Sequence, residues 1–207
     1  MRIAVPRGAL FKEALDVLDG LGIDTAEVRS NDRKLLFEEA GLITMRPSDV
    51  PTYVESGAAD IGITGKDVLA EHPERNVYEL LDLGFGRCRM VFATVEGEDV
   101  ATEALRRLGI MRIATKYPNI AASYFESTGR QVEIVEVKGS VELAPLTGMV
   151  HGIVDLTATG TTLRENGLVV REEISVATAR LIANPVSYRV KAAEIDAVLE
   201  KLRATHA

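Results

Sequence analysis

A chain of 207 residues holds one sizeable α/β domain or two lobes of about a hundred residues each. Apolar residues at 46% and charged residues at 27% supply the core and surface of an ordinary globular enzyme. The net charge of −7, from 31 acidic against 24 basic side chains, argues against a general nucleic-acid binder. It leaves room for a local basic pocket that holds a small anion.

The opening "MRIAVPRGAL" runs straight into a strand, "RIAV" (2–5), stopped by Pro6 and Gly8. It lacks the apolar core of a signal peptide, and no run in the chain is long enough to span a bilayer. A cytoplasmic protein that binds neither membrane nor nucleic acid is expected. "ALFKEALDVLDGLG" then spaces Leu10, Ala14, Leu15, Val17 and Leu18 as a helix ended by Gly20 and Gly22. Residues 48–69 predict a capped helix, a strand through Ile61 to Ile63, and a second helix start. Cys88 is the only cysteine, which excludes an internal disulfide or a cysteine metal cluster. Between Arg87 and Arg89 it reads as a half-buried strand residue, with a reactive thiol as the alternative.

"RMVFATV" (89–95) predicts a strand and "EDVATEALRRLG" (98–109) a helix, and the alternation continues to "GIVDL" (152–156). Such alternation predicts a mostly parallel sheet covered on both faces. A repeat lies within it. "MRIA" occurs at 1–4 and at 111–114, and "ADIGITGKDVL" (59–69) aligns with "VDLTATGTTL" (154–163), placing Asp60 on Asp155 and Gly65 on Gly160. Two similar lobes are expected, the first from residues 1–88 plus 180–207 and the second from 89–179, with a cleft between them as the ligand site. The closing segment, 177–204, reads as an extended run and an amphipathic helix that completes the first lobe. Ile195, Val198, Leu199 and Leu202 are expected to pack on that lobe's own core, with a neighbouring subunit as the alternative.

"VDLTATGTTL" is too polar and too small-chained for core. At a strand end, with "TTLREN" opening a helix, Thr157, Ala158, Thr159, Gly160, Thr161 and Thr162 would present backbone N–H groups and hydroxyls to an anion. Gly160 allows close backbone approach. The loop has no lysine, so a monoester phosphate suits it better than a triphosphate. Asp155 has the wrong sign for phosphate but suits two neighbouring sugar hydroxyls. Together these point to a ribose 5-phosphate. The alternative is a helix cap with surface threonines.

"ELAPLTGMVHGIVDLTATGTTL" (142–163) closely resembles the signature of the ATP phosphoribosyltransferases: the glutamate, the glycine six residues on, and the D-L-x-x-T-G-x-T-L core are present. Val150 stands where the pattern has Ser, Ala or Gly, a departure ascribed to packing. "VPRGAL", "DRKLLF", "RPSDVPTYVESGAADIGITGKDVL", "DLGFG", "RIATKYPN" and "NPVSYR" extend the likeness along the chain. The resemblance implies a two-lobed α/β fold like the type II periplasmic binding proteins. It also implies transfer of 5-phosphoribosyl from phosphoribosyl pyrophosphate to N1 of the adenine of ATP, the first step of histidine biosynthesis.

For the site, the resemblance places the sugar on Asp155 and the threonine loop. The pyrophosphate falls to substrate-bound Mg²⁺ aided by Arg7, Arg33 and Lys34, for which solvated surface charge is the alternative. Many members carry Arg where this chain has Ala9, so that cation's role passes to Arg7, Arg33 or a partner, or is absent. Asp67 and the Gly84–Gly86 turn fall in the purine region, with Lys116 and Tyr117 able to line the same cleft and Thr115 equally a strand-end cap. Glu142 either orients sugar or metal or caps its helix. No general base is needed, because adenine N1 is unprotonated at neutral pH. His151 is therefore read as a helix-end surface residue, and His72 and His206 as loop and tail residues. The likeness is to the short form, expected as a homodimer alone and a hetero-octamer with a regulatory subunit similar to histidyl-tRNA synthetase. A non-enzymatic solute-binding module of the same fold remains the competing class.

Overall fold

The computed structural model describes residues 1–206, with side chains described through Ala204, so the side chain of His206 lies outside the described residues. The chain divides into two units, 1–87 with 178–207 and 88–177. In chain order the first unit contributes β1 (Ile3–Pro6), α1 (Phe11–Gly20), α2 (Ala26–Ser30), β2 (Leu36–Phe37) and β3 (Leu42–Met45). It continues with α3 (Val50–Glu55), β4 (Ile61–Gly65), α4 (Lys66–Glu71) and β5 (Tyr78–Asp82). The second unit runs β6 (Cys88–Val95), α5 (Val100–Leu108), β7 (Met111–Thr115), α6 (Pro118–Ser127) and β8 (Val132–Glu136). It ends with α7 (Leu143–Leu146), β9 (Gly152–Thr157), α8 (Thr161–Glu165) and β10 (Leu168–Ala177). The chain then returns to the first unit with β11 (Ala179–Ala183), α9 (Pro185–Val190) and α10 (Ala192–His206).

The two sheets share one plan. The first is ordered β2-β3-β1-β4-β11-β5 and the second β10-β6-β9-β7-β8. Leaving out β2 and reversing the second, β3, β1, β4, β11 and β5 correspond to β8, β7, β9, β6 and β10. Three strands in each run parallel, and the last two are antiparallel additions. The expected mostly parallel sheet is therefore mixed, because β6 and β11 pair antiparallel with the β9 and β4 edges of the parallel triplets.

Period-two alternation divides each unit's core between the two faces of its sheet. Ile3, Val5, Ile61, Ile63 and Leu181 pack beneath α1 with Leu15, Leu18 and Phe37, while Ala4, Ile43 and Ile182 meet Val50 and Val54 of α3. Ile195, Leu199 and Leu202 of α10 join the first of these clusters, as the sequence predicted. In the second unit Met90, Phe92, Ile113 and Phe125 occupy one face, and Val91, Ala93, Ile153 and Leu163 the other. Val150 is 5% exposed in the latter cluster, so its departure from the signature is a packing feature.

The "MRIA" repeat marks equivalent strands, β1 and β7. The second alignment needs correction. Ile3 pairs with Ile61 across β1 and β4, and Ile113 with Gly152 across β7 and β9. Strand register thus places Asp60 on His151 and Thr64 on Asp155. The hydrogen bonds agree: Asp60 N–H donates to Arg2 O and Arg2 N–H returns to Asp60 Oδ2, while His151 N–H donates to Arg112 O and Arg112 N–H returns to His151 Nδ1. His151 is a clasp at the amino end of β9 and not a surface residue at a helix end. Four strands, β2, β3, β5 and β10, escaped the sequence reading. "LVVREEISVA" is β10, an edge strand whose charges mask its pairing with β6, and Tyr78–Asp82 is β5. "NPVSYR" forms the short helix α9, with Asn184 Oδ1 accepting from the N–H groups of Val186 and Ser187. Among the described residues no helix is long and apolar enough to cross a membrane.

Candidate active site

Ligands of α/β sheets gather at the carboxyl ends of parallel strands. In the second unit that end carries Asp155 near the close of β9 and Lys116 just past β7. Asp155 interrupts an otherwise apolar strand and is only 5% exposed. Its Oδ1 accepts from the N–H of Leu156 at 2.8 Å and lies 3.3 Å from Lys116 Nζ. Oδ2 has no hydrogen-bond partner among the described residues. Burial pushes the Asp155 carboxyl above the usual carboxylate range; Lys116 and the Leu156 N–H oppose that, and the charge of Glu142 adds to it. Glu142 stands at the N-cap of α7 yet makes no side-chain capping bond, which removes the capping reading. Thr115 is the strand-end cap, its Oγ1 accepting from Tyr117 N–H at 2.9 Å.

The threonine loop follows β9 directly. Thr157 Oγ1 accepts from Gly160 N–H at 2.8 Å, and the hydroxyls of Thr159 and Thr161 lie 2.9 Å apart. Gly160 has φ +75°, the left-handed region that disfavours a side chain. Ala158, Thr159, Thr161 and Thr162 are exposed. The helix that follows, α8, has five residues, too few to sum much of a dipole. An anion placed here would depend on hydroxyls and side chains more than the sequence suggested. Sequence reasoning sought a lysine and missed Arg164. Its Nη1 donates to Thr159 O at 3.1 Å and its Nη2 to Thr161 Oγ1 at 3.2 Å. The signal was available, because Arg164 lies one helical turn beyond Thr161.

In the first unit Arg7 follows β1. Its Nε donates to Thr44 Oγ1 at 3.0 Å and its Nη2 to Lys34 O at 2.9 Å, with the guanidinium over the Phe11 ring. Asn31 Oδ1 accepts from the N–H groups of Arg33 and Lys34, which fixes the turn bearing them. Arg7 thus holds the backbone at Lys34, while the side chains of Arg33 and Lys34 are both exposed. Lys34 is ion-paired to Glu27. A hollow of about 490 Å³ lined by Glu27, Lys34, Leu36, Glu38 and Glu39 is net acidic, the wrong sign for a polyphosphate. Arg46, which sequence reasoning passed over, is exposed just past β3, and no carboxylate among the described residues pairs with it.

Asp67 lies in the first turn of α4, its carboxylate folded over Gly65. The Gly84–Gly86 turn has a backbone reason: Gly84 N–H donates to Asp82 Oδ1 at 2.9 Å, and a Cβ on Gly86 would come within 2.1 Å of Leu10 Cδ2. Cys88 is half-buried at the start of β6.

The comparisons with known proteins agree with one another. The family model described as ATP phosphoribosyltransferase matches residues 46–204. An ATP phosphoribosyltransferase of Rubrobacter xylanophilus is 54% identical over 202 residues, covering 96% of this chain and 93% of the relative. Among solved structures, an ATP phosphoribosyl transferase (HisG:HisZ) complex from Thermotoga maritima matches with a TM-score of 0.81 and 36% identity, covering 99% of this chain and 97% of that chain. The periplasmic VFT2 domain of BvgS from Bordetella pertussis, 15% identical with a TM-score of 0.65, covers 100% of this chain and 88% of its own. At that identity it shows the two-lobed periplasmic-binding-protein fold alone.

Proposed function

The chain belongs to the ATP phosphoribosyltransferase family, and on that premise we propose that its second unit holds the phosphoribosyl group, with Asp155 as the ribose acceptor. The family's reaction transfers 5-phosphoribosyl from phosphoribosyl pyrophosphate to N1 of the adenine of ATP and releases pyrophosphate, the first step of histidine biosynthesis. The carrying observation is the environment of Asp155: buried, with one oxygen unpartnered, beside a hydroxyl-rich loop. A carboxylate so placed accepts the vicinal hydroxyls of a ribose, and the threonines, with Ala158 and Gly160 giving room, receive its phosphate. Glu142 stands close enough to influence Asp155 and joins it at the sugar.

As pyrophosphate leaves, the ring carbon C1 becomes oxocarbenium-like, and holding sugar and leaving group in line lowers the barrier. Arg7, Arg33 and Lys34 of the first unit are assigned to the departing charge. Asp67, Gly84 and Gly86 are assigned to the purine. Mg²⁺ is assigned to the substrate's own phosphates, where it would neutralise the leaving group. His151 takes no part, since its Nδ1 is held by Arg112 N–H at 2.8 Å.

The Thermotoga maritima relative is described as a HisG:HisZ complex. By that likeness this chain is assigned a HisZ-like regulatory partner; that the partner is similar to histidyl-tRNA synthetase, the hetero-octamer, the homodimer of the isolated chain and action in the cytoplasm rest on the family resemblance. Steady-state kinetics test the central assignment. Asp155→Ala should weaken use of phosphoribosyl pyrophosphate and spare the KM for ATP; unchanged kinetics for the first substrate would overturn it.

A further inference from the structure

We infer that Arg164 supplies the positive charge for the 5-phosphate that a lysine-free threonine loop otherwise lacks. The inference rests on the proposed reading of the second unit as the phosphoribosyl site. Three observations carry it. First, two of the loop's backbone donors are taken up within the loop itself. Gly160 N–H is accepted by Thr157 Oγ1 at 2.8 Å and Thr161 N–H by Thr159 Oγ1 at 3.3 Å. A dianion arriving there meets hydroxyls that can reorient, a five-residue helix with little dipole and, among residues 157–165, no cation but Arg164.

Second, the guanidinium already lies on the loop. It bonds Thr159 O and Thr161 Oγ1, and a Cβ built on Gly160 would come within 3.2 Å of Arg164 Nη1. The glycine therefore keeps open the space beside the guanidinium. Third, both acceptors are neutral oxygens. Arg130 is neutralised by Glu172 and Arg180 by Glu79, whereas no carboxylate among the described residues pairs with Arg164. Two hydrogen bonds leave three of its five N–H groups unused. An arginine of this kind, exposed on a flexible stem, can exchange two neutral acceptors for phosphate oxygens in a bidentate, charge-assisted pair. In the substrate-free chain the same contacts keep the guanidinium at the loop.

A staple that merely shapes the loop would look similar in the resting structure, so the test separates charge from shape. Binding of phosphoribosyl pyrophosphate and of free pyrophosphate to the purified chain is measured by calorimetry for Arg164→Gln, Arg164→Lys and Asp155→Asn. The expected result is a loss of about 10- to 100-fold in phosphoribosyl pyrophosphate affinity for Arg164→Gln, the size of a charged hydrogen bond or two. Pyrophosphate, which lacks the 5-phosphate, should bind unchanged, and Arg164→Lys should recover part of the loss. If Arg164→Gln binds like wild type while Asp155→Asn is weakened, the role of Arg164 is overturned and the sugar site stands. If Arg164→Gln loses both ligands equally, or Arg164→Lys is no better than Arg164→Gln, the side chain is a structural staple. If neither position matters, the phosphoribosyl site itself lies elsewhere.

Discussion

Asp60 in the first unit and Asp155 in the second are buried alike, 7% and 5% exposed, yet their carboxyls are displaced in opposite directions. Burial pushes both upward. Asp60 overcomes it with Lys191 Nζ on both oxygens, the Arg2 N–H at 2.7 Å and the Ser187 hydroxyl at 2.7 Å, and ends below the usual carboxylate value. Asp155 has one backbone N–H and one lysine, both on the same oxygen, and ends above it. A buried acid whose valences are all met by its own chain belongs to the fold. One left short of partners is the candidate to hold something the chain does not contain.

The sharpest way to break this contrast is to remove each acid in turn. Asp60→Ala should cost about 1–3 kcal/mol of stability, because it strands the Arg2 N–H, the half-buried Ser187 hydroxyl and the Lys191 ammonium. Thermal or urea unfolding measures the loss, and the KM for phosphoribosyl pyrophosphate should not move. Asp155→Ala should do the converse, costing about 1.5–3 kcal/mol in kcat/KM for that substrate with folding retained. Replacing Gly160 by Val should also weaken phosphoribosyl pyrophosphate. The side chain at φ +75° strains the loop and crowds Arg164 Nη1, and a KM equal to wild type would remove the loop from the site.

Acid and base behaviour sharpens the comparison further. The folded value of Asp60 is depressed, so its stability contribution is present above the unfolded value and lost as pH falls through the folded one. Asp155 is raised, so its ionisation costs stability as pH climbs from the unfolded toward the folded value. Asp155→Asn should therefore raise the melting temperature slightly at neutral pH while impairing catalysis. Lys116 opposes the upward push on Asp155, so Lys116→Met should move the acidic limb of the kcat/KM profile for phosphoribosyl pyrophosphate to higher pH. A limb that stays put would show that Lys116 does not govern Asp155.

Much of this was legible in the residues, and the misses have physical causes. Asp155 stood out because an acid in an apolar strand is costly without a purpose. The "MRIA" repeat identified β1 and β7 because equivalent buried strands keep equivalent apolar runs. The alignment of Asp60 with Asp155 failed because matching letters do not report strand register, and β4 runs directly into α4 where β9 ends in a three-residue loop. β10 was hidden by Arg171, Glu172 and Glu173, since an edge strand tolerates charges that an inner strand cannot. Arg164 was missed because its work depends on a helical turn bringing it back over the loop.

Whether the second unit holds the phosphoribosyl group is tested most directly by a crystal of the chain soaked with phosphoribosyl pyrophosphate. The ribose hydroxyls should lie within hydrogen-bond distance of Asp155 Oδ2, with the 5-phosphate against residues 157–162. A 5-phosphate found instead beside residues 64–67 of the first unit would contradict that placement.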